Sequence, residues 1–195
     1  MSNKSDRPAL PPSVQRVVPV FRYAGWTSFW VQLVLAVVAA LIFLFCIPLA
    51  IPRANAVNVT NPGTGPGTFF AISGLVALGI SIYWSWRYTR VANQLQSANP
   101  NLRPKKADAL KLLQRGLIVN LVGMLLTLLG AEAINGTLLA KSISSQGVVF
   151  TDPSALSRFI QPLDIFLVLG NTHTIVAHFV GITTVLWLIN WINKD

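Results

Sequence analysis

Four long stretches of this chain contain no Lys, Arg, Asp or Glu: Tyr23 to Pro52, Ala54 to Trp86, Gly116 to Ala131 and Ile165 to Asn193. Each contains or adjoins the roughly 20 apolar residues that a helix needs to cross the hydrocarbon of a bilayer. Backbone amides must bond within the segment there, so such runs read as helices. The pattern predicts an all-α, polytopic membrane protein with transmembrane helices near 26–48, 68–88, 116–140 and 165–191. Only 11% of the residues are charged, against roughly 25% in soluble domains, which excludes an ordinary water-soluble enzyme.

The basic residues orient these spans. Lys4, Arg7, Arg16 and Arg22 precede the first run; Arg87, Arg90, Arg103, Lys105, Lys106, Lys111 and Arg115 lie between the second and third; Lys194 follows the fourth. That is twelve of the 15 Lys and Arg residues, leaving Arg53, Lys141 and Arg158 for the other two connections. Lys and Arg near short loops stay on the cytoplasmic side. The expected layout is therefore a cytoplasmic tail over 1–22 and a transmembrane domain of two hairpins over 23–195, with both termini cytoplasmic. A basic inner hairpin covers 89–115, and outer loops cover 53–67 and 141–164. The net charge of +9 is accounted for by topology and anionic lipid, and no nucleic-acid motif accompanies it. The single cysteine, Cys46, excludes an intrachain disulfide.

Small residues mark helix-packing seams. Gly67, Gly74 and Ser81 recur every seven residues, as do Gly116, Gly123 and Gly130, with Asn120 and Thr127 beside the second stripe. Such spacing lets backbones approach closely in left-handed crossings. Val31-Gln32-Leu33-Val34 and Val119-Asn120-Leu121-Val122 form a faint echo at similar depths in the first and third spans. Trp26, Trp30, Tyr83, Trp84, Trp86, Tyr88, Trp187 and Trp191 fall where an inner-leaflet aromatic belt belongs. In the outer loops, Asn58-Val59-Thr60 is a glycosylation sequon, and Asp152-Pro153 could open a short surface helix.

The fourth run, LDIFLVLGNTHTIVAHFVGI, carries the groups that a membrane span tolerates least. Asp164, Asn171 and His178 are seven residues apart and share a face with Thr174 and Gly181. At 1.5 Å per residue, Asp164 sits at the outer boundary and His178 about 21 Å deeper. His173 points about 140° away from His178 and falls at the depth of Glu132 on the third span, where the two could meet. Ionisable groups at such depth are functional candidates by default. Histidine with carboxylate suits Fe(II), Mn(II) or Zn(II), so His178, Asp164, His173 and Glu132 are the candidate metal contacts. Asn171, Thr174 and Asn120 are candidate polar groups along a path. For His178, an interhelical hydrogen bond or ligation of a pigment or haem are the alternatives. No GxSxG, P-loop or HExxH motif occurs, so enzymatic catalysis is not expected.

The strings WTSFWVQL (26–33), YWSWRYTRVANQL (83–95), ADALKLLQRGLIVNLVGMLLTLLGAEAINGTLLAK (107–141) and LDIFLVLGNTHTIVAHFVGI (163–182) resemble the permease-in-chloroplasts family, also described as the small inner-envelope component of the Tic import machinery. The resemblance covers roughly residues 20–192. It implies a four-helix protein of the chloroplast inner envelope or of cyanobacterial membranes, and two activities: iron transport and a role in preprotein import. With no transit peptide visible, the chain resembles the cyanobacterial form, placed in the plasma or thylakoid membrane. In the family pattern the place of Glu132 is usually glutamine and that of His173 usually asparagine, whereas Asp164 and His178 match.

The leading expectation is thus a permease, or permease subunit, for iron or a related divalent metal as transported ion, with no resident cofactor. The alternatives are a non-transporting scaffold docking partners on Arg87, Arg90, Arg103, Lys105 and Lys106, and a pigment- or haem-binding subunit. Four helices enclose little space, so a homo-oligomer or a larger membrane complex is expected, assembled along the seams of Gly67, Gly74, Gly116, Gly123 and Gly130.

Overall fold

Every helix extends at both ends beyond the span expected for it. In a computed structural model describing residues 12–57, 65–97, 104–145 and 159–194, four helices follow one another: α1 (Pro12–Val57), α2 (Pro66–Leu95), α3 (Lys106–Ser144) and α4 (Pro162–Lys194). All four are long and apolar enough to cross a membrane, and no strand occurs among the described residues. The apolar runs record the thickness of the hydrocarbon, whereas a helix continues as long as its residues favour it. The 39 residues of α3 extend about 58 Å, nearly twice the hydrocarbon thickness. Lys4, Arg7, Arg103, Arg158, the sequon at Asn58 and the surface helix expected from Asp152 lie outside the described residues.

Local chemistry sets the helix starts. Gly65 is the extended N-cap of α2, with Pro66 at the first helical position, where its missing N–H costs nothing. α4 begins at Pro162 in the same way, and Asp164 in its first turn accepts a 3.0 Å hydrogen bond from the backbone N–H of Gln161, as in half a capping box.

The helices pack in chain order, with α4 closing against α1 and also touching α2 across the centre. On α2 the buried residues are Gly67, Thr68, Ala71, Gly74, Leu78, Ser81, Ser85, Tyr88, Val91 and Ala92. Apart from the neighbours Thr68 and Val91, they alternate by three and four residues, the spacing of a left-handed seam. The two glycine stripes serve contacts inside the bundle. A Cβ on Gly130 would lie 2.9 Å from the backbone nitrogen of Ala71, and one on Gly74 would collide with the Thr127 methyl. These seams hold α2 to α3, so they do not supply the surface for the expected oligomer.

Side chains facing outward are apolar. Val34, Leu44, Phe45, Phe69, Val76, Leu125 and Phe179 are all exposed, as lipid contact requires. The interior has three layers. Phe21, Tyr88, Leu113, Val185 and Leu188 form an apolar cluster toward the end bearing most of the basic residues, here the basic end. Phe43, Cys46, Ala71, Ile134 and Leu167 form another toward the far end. Between them lies a polar middle.

Candidate functional site

Each helix contributes a buried polar side chain to the centre of that middle: Gln32 from α1, Ser81 from α2, Asn120 from α3 and His178 from α4, none more than 1% exposed. Gln32 Nε2 lies 3.1 Å from Ser81 Oγ, 3.3 Å from Asn120 Oδ1 and 3.2 Å from the Ala177 carbonyl. The Ser81 hydroxyl donates to Asn120 Oδ1 at 2.7 Å, and Ser85 donates to Gln32 Oε1 at 2.9 Å. Ser28 extends the chain of contacts toward the basic end, 3.4 Å from Ser85.

Backbone carbonyls orient the network. The Asn120 amide donates to Gly116 O at 3.0 Å, which holds its Oδ1 toward the centre. His178 Nε2 lies 3.1 Å from Gly74 O, and Nδ1 lies 3.2 Å from Asn120 Oδ1. Both neighbours only accept, and a neutral imidazole has one N–H, so a neutral ring donates to one and turns a lone pair on the other. Only the imidazolium donates to both. Room for the ring comes from Gly123, whose Cβ would collide with His178 Cε1 and Nε2, and room for the Gln32 amide comes from Gly181, whose Cβ would collide with Gln32 Nε2.

Farther along the axis, Asn171 Nδ2 donates to Thr127 O at 3.0 Å, while its Oδ1 is buried without a hydrogen-bond partner among the described residues. Thr127 and Thr174 donate to carbonyls of their own helices. At the far end, Lys141 Nζ donates to Asp164 Oδ2 at 2.8 Å, with both side chains at most 6% exposed. Lys141 lies in the last turn of α3 and Asp164 in the first turn of α4, so each charge also complements its helix dipole. From Asn171 to Ser28 the interior is a polar column inside an apolar shell, and the layer of Phe43, Ile134 and Leu167 separates it from the Lys141–Asp164 pair.

The four candidate metal contacts are spread over separate places. Among the described residues no group of three or more His, Cys, Asp and Glu side chains comes together. Asp164 is taken by Lys141 and the α4 cap. His173, off the buried stripe, bonds through Nδ1 to Leu169 O of its own helix at 2.7 Å. Glu132 is exposed on the outside of α3, and the two form no ion pair among the described residues, because each faces away from the seam between α3 and α4. Ligation of a pigment or haem by His178 would have to break one of its two contacts.

Gln32, Ser81 and Lys141 are central here yet were not site candidates. Gln32 carried a signal, since it occupies the same place in the VQLV string as Asn120 does in VNLV. Lys141 carried none, because one Lys at a span's end reads as a loop charge. Of the basic group, Arg87, Arg90, Lys105 and Lys106 are exposed. Arg90 stacks on Trp86 at 3.7 Å and Arg87 on Trp84 at 4.9 Å.

A family model described as "Protein of unknown function (DUF3611)" matches residues 11–193. The chain is also similar to "Protein TIC 21, chloroplastic" of Arabidopsis thaliana, 35% identical over 196 residues. That alignment takes in 96% of this chain and 62% of the relative, so the chain spans about three-fifths of the relative's length. No solved structure matches the chain.

Proposed function

The chain belongs to the DUF3611 family, and on that premise we propose that it is a membrane permease, or permease subunit, for iron or a related divalent metal. The observation that supports this reading most is the polar column itself. Polar groups at mid-membrane are costly, and a bundle needing only cohesion could pack apolar residues there. A passing ion would replace hydrogen bonds with ligation by His178, Asn120 Oδ1 and the Gly74 carbonyl, a nitrogen and oxygen set suited to Fe(II), Mn(II) or Zn(II). No covalent chemistry is assigned to the protein. Similarity to a relative whose name places it in the chloroplast supports assigning this chain to a cyanobacterial plasma or thylakoid membrane, the counterpart of the inner envelope.

Purified protein in liposomes tests the transport reading. Iron uptake by the native chain, reduced in His178→Ala and Asn120→Ala, is the expected result. Absence of uptake, or uptake indifferent to both substitutions, overturns it.

A non-transporting scaffold for protein import or complex assembly is the second reading, favoured by a different observation. Most polar groups of the column already bond one another, while Lys105, Lys106 and Lys111 stand exposed at the start of α3. On this reading the column holds the helices and the basic hairpin docks a partner. Copurification of a partner, lost on reversing the charges of Arg103, Lys105 and Lys106, would support it.

A further inference from the structure

At the basic end a groove of about 410 Å³ opens between α1 and α2, lined by Arg22, Trp26, Trp86, Thr89, Arg90 and Asn93. That volume falls within the roughly 300–1,000 Å³ of small-ligand sites. The two helices come close beside it, since a Cβ on Gly25 would lie 3.1 Å from the Thr89 methyl. The Arg90 guanidinium carbon lies over the Trp86 ring, 3.7 Å from its centroid, a cation–π contact that holds the group at the groove and leaves its N–H groups to donate. Among the described residues the only ion pair is Lys141 with Asp164, at the other end of the bundle. Arg22 and Arg90 therefore meet this groove without a carboxylate partner among the described residues.

Two guanidinium groups and an amide converge here with two indole walls. Guanidinium forks match the paired oxygens of a phosphate. The level is that of the aromatic belt, where headgroups lie. Along α1 the groove is continuous with the exposed apolar side chains of Trp30, Val34 and Leu41. A ligand seated here presents an anionic head to the arginines and hydrocarbon to α1. A soluble acidic peptide would leave that apolar surface unmatched.

We propose that this groove is a specific site for the phosphodiester headgroup of an anionic phospholipid, taken from the leaflet into which the basic end projects. The site stands apart from the polar column and does not depend on whether the column conducts.

The test uses the full chain, stripped of lipid in detergent and offered phosphatidylglycerol or phosphatidylcholine of matched acyl chains, with retained lipid counted by native mass spectrometry. The native chain is expected to retain phosphatidylglycerol preferentially. R22Q/R90Q should lose that retention by about tenfold, the scale of a lost charge-assisted hydrogen bond. K105Q/K106Q, with the same loss of charge outside the groove, should retain it. Equal retention of the two lipids by the native chain overturns the proposal, as does equal loss in both double variants, which would reveal a diffuse field. Displacement of the lipid by water-soluble glycerol phosphate at equal concentration also overturns it, because the ligand would then be a soluble phosphate. All four residues are exposed, and a thermal transition matching the native chain confirms that the variants are folded.

Discussion

Gln32 of α1 and Asn120 of α3 meet across the bundle axis, with the amide nitrogen of one 3.3 Å from the amide oxygen of the other. They occupy equivalent places in the VQLV and VNLV strings, so the internal echo of the sequence becomes a contact between diagonal helices. Replacing either with leucine leaves buried polar partners unsatisfied and is expected to destabilise the bundle by about 1–3 kcal/mol. The double replacement should lose less than the sum of the single ones. Unfolding titrations in mixed micelles measure both quantities, and strict additivity would mean that the two amides are not coupled.

Gly123→Ala puts a methyl group where the His178 ring sits. Overpacking of this kind is expected to cost about 1–3 kcal/mol. Removing the ring should relieve it, so G123A/H178A is expected to tolerate the alanine better than G123A alone. Thermal stability of the four chains in detergent decides the matter, and an equal penalty in both backgrounds would show that the ring is not the obstacle.

Lys141 and Asp164 are buried together at the far end. Losing one member of such a pair strands the other and is expected to cost about 3–5 kcal/mol, whereas neutralising both is far milder. Lys141→Met should therefore be more harmful than K141M/D164N, in which asparagine can still accept from the Gln161 N–H. Denaturation midpoints rank the two variants, and the opposite order would rule out a stranded carboxylate as the cause.

Tyr88 is almost fully buried against Gly116, and its hydroxyl has no hydrogen-bond partner among the described residues. Removing an unpaired buried hydroxyl relieves a desolvation penalty of about 1–3 kcal/mol. Tyr88→Phe is expected to raise the melting temperature in detergent. A lower melting temperature would show that the hydroxyl is stabilising.

The four spans and the all-helical class were legible in the sequence because the demands of hydrocarbon are severe: an uncharged run of this length has few other uses. The stripe of Asp164, Asn171, Thr174 and His178 was legible for a related reason, since a polar group on a heptad face stands out against apolar neighbours. All four are buried. What each of these groups touches was not legible. Whether His178 faces Asn120, Glu132 or lipid depends on the rotation of α3 and α4 about their axes, which seven-residue spacing leaves open. Lys141 illustrates the same limit. Its burial depends on α3 continuing as helix to Ser144 and on Asp164 lying opposite, and no local pattern encodes a pairing across 23 residues of separation.

Because Gln32 donates to the carbonyl of Ala177 and Asn120 Oδ1 lies beside His178 Nδ1, the interior of the bundle is completed only by the last of these four helices to be made. Until α4 arrives, α1, α2 and α3 hold an amide, a hydroxyl and a second amide in the bilayer with their partners incomplete, a state more polar than the finished bundle. Chains truncated before α4 would carry that polarity permanently. Such a half-made protein is a natural target for membrane proteases, and the chemistry that joins the four helices also distinguishes a finished copy from an interrupted one.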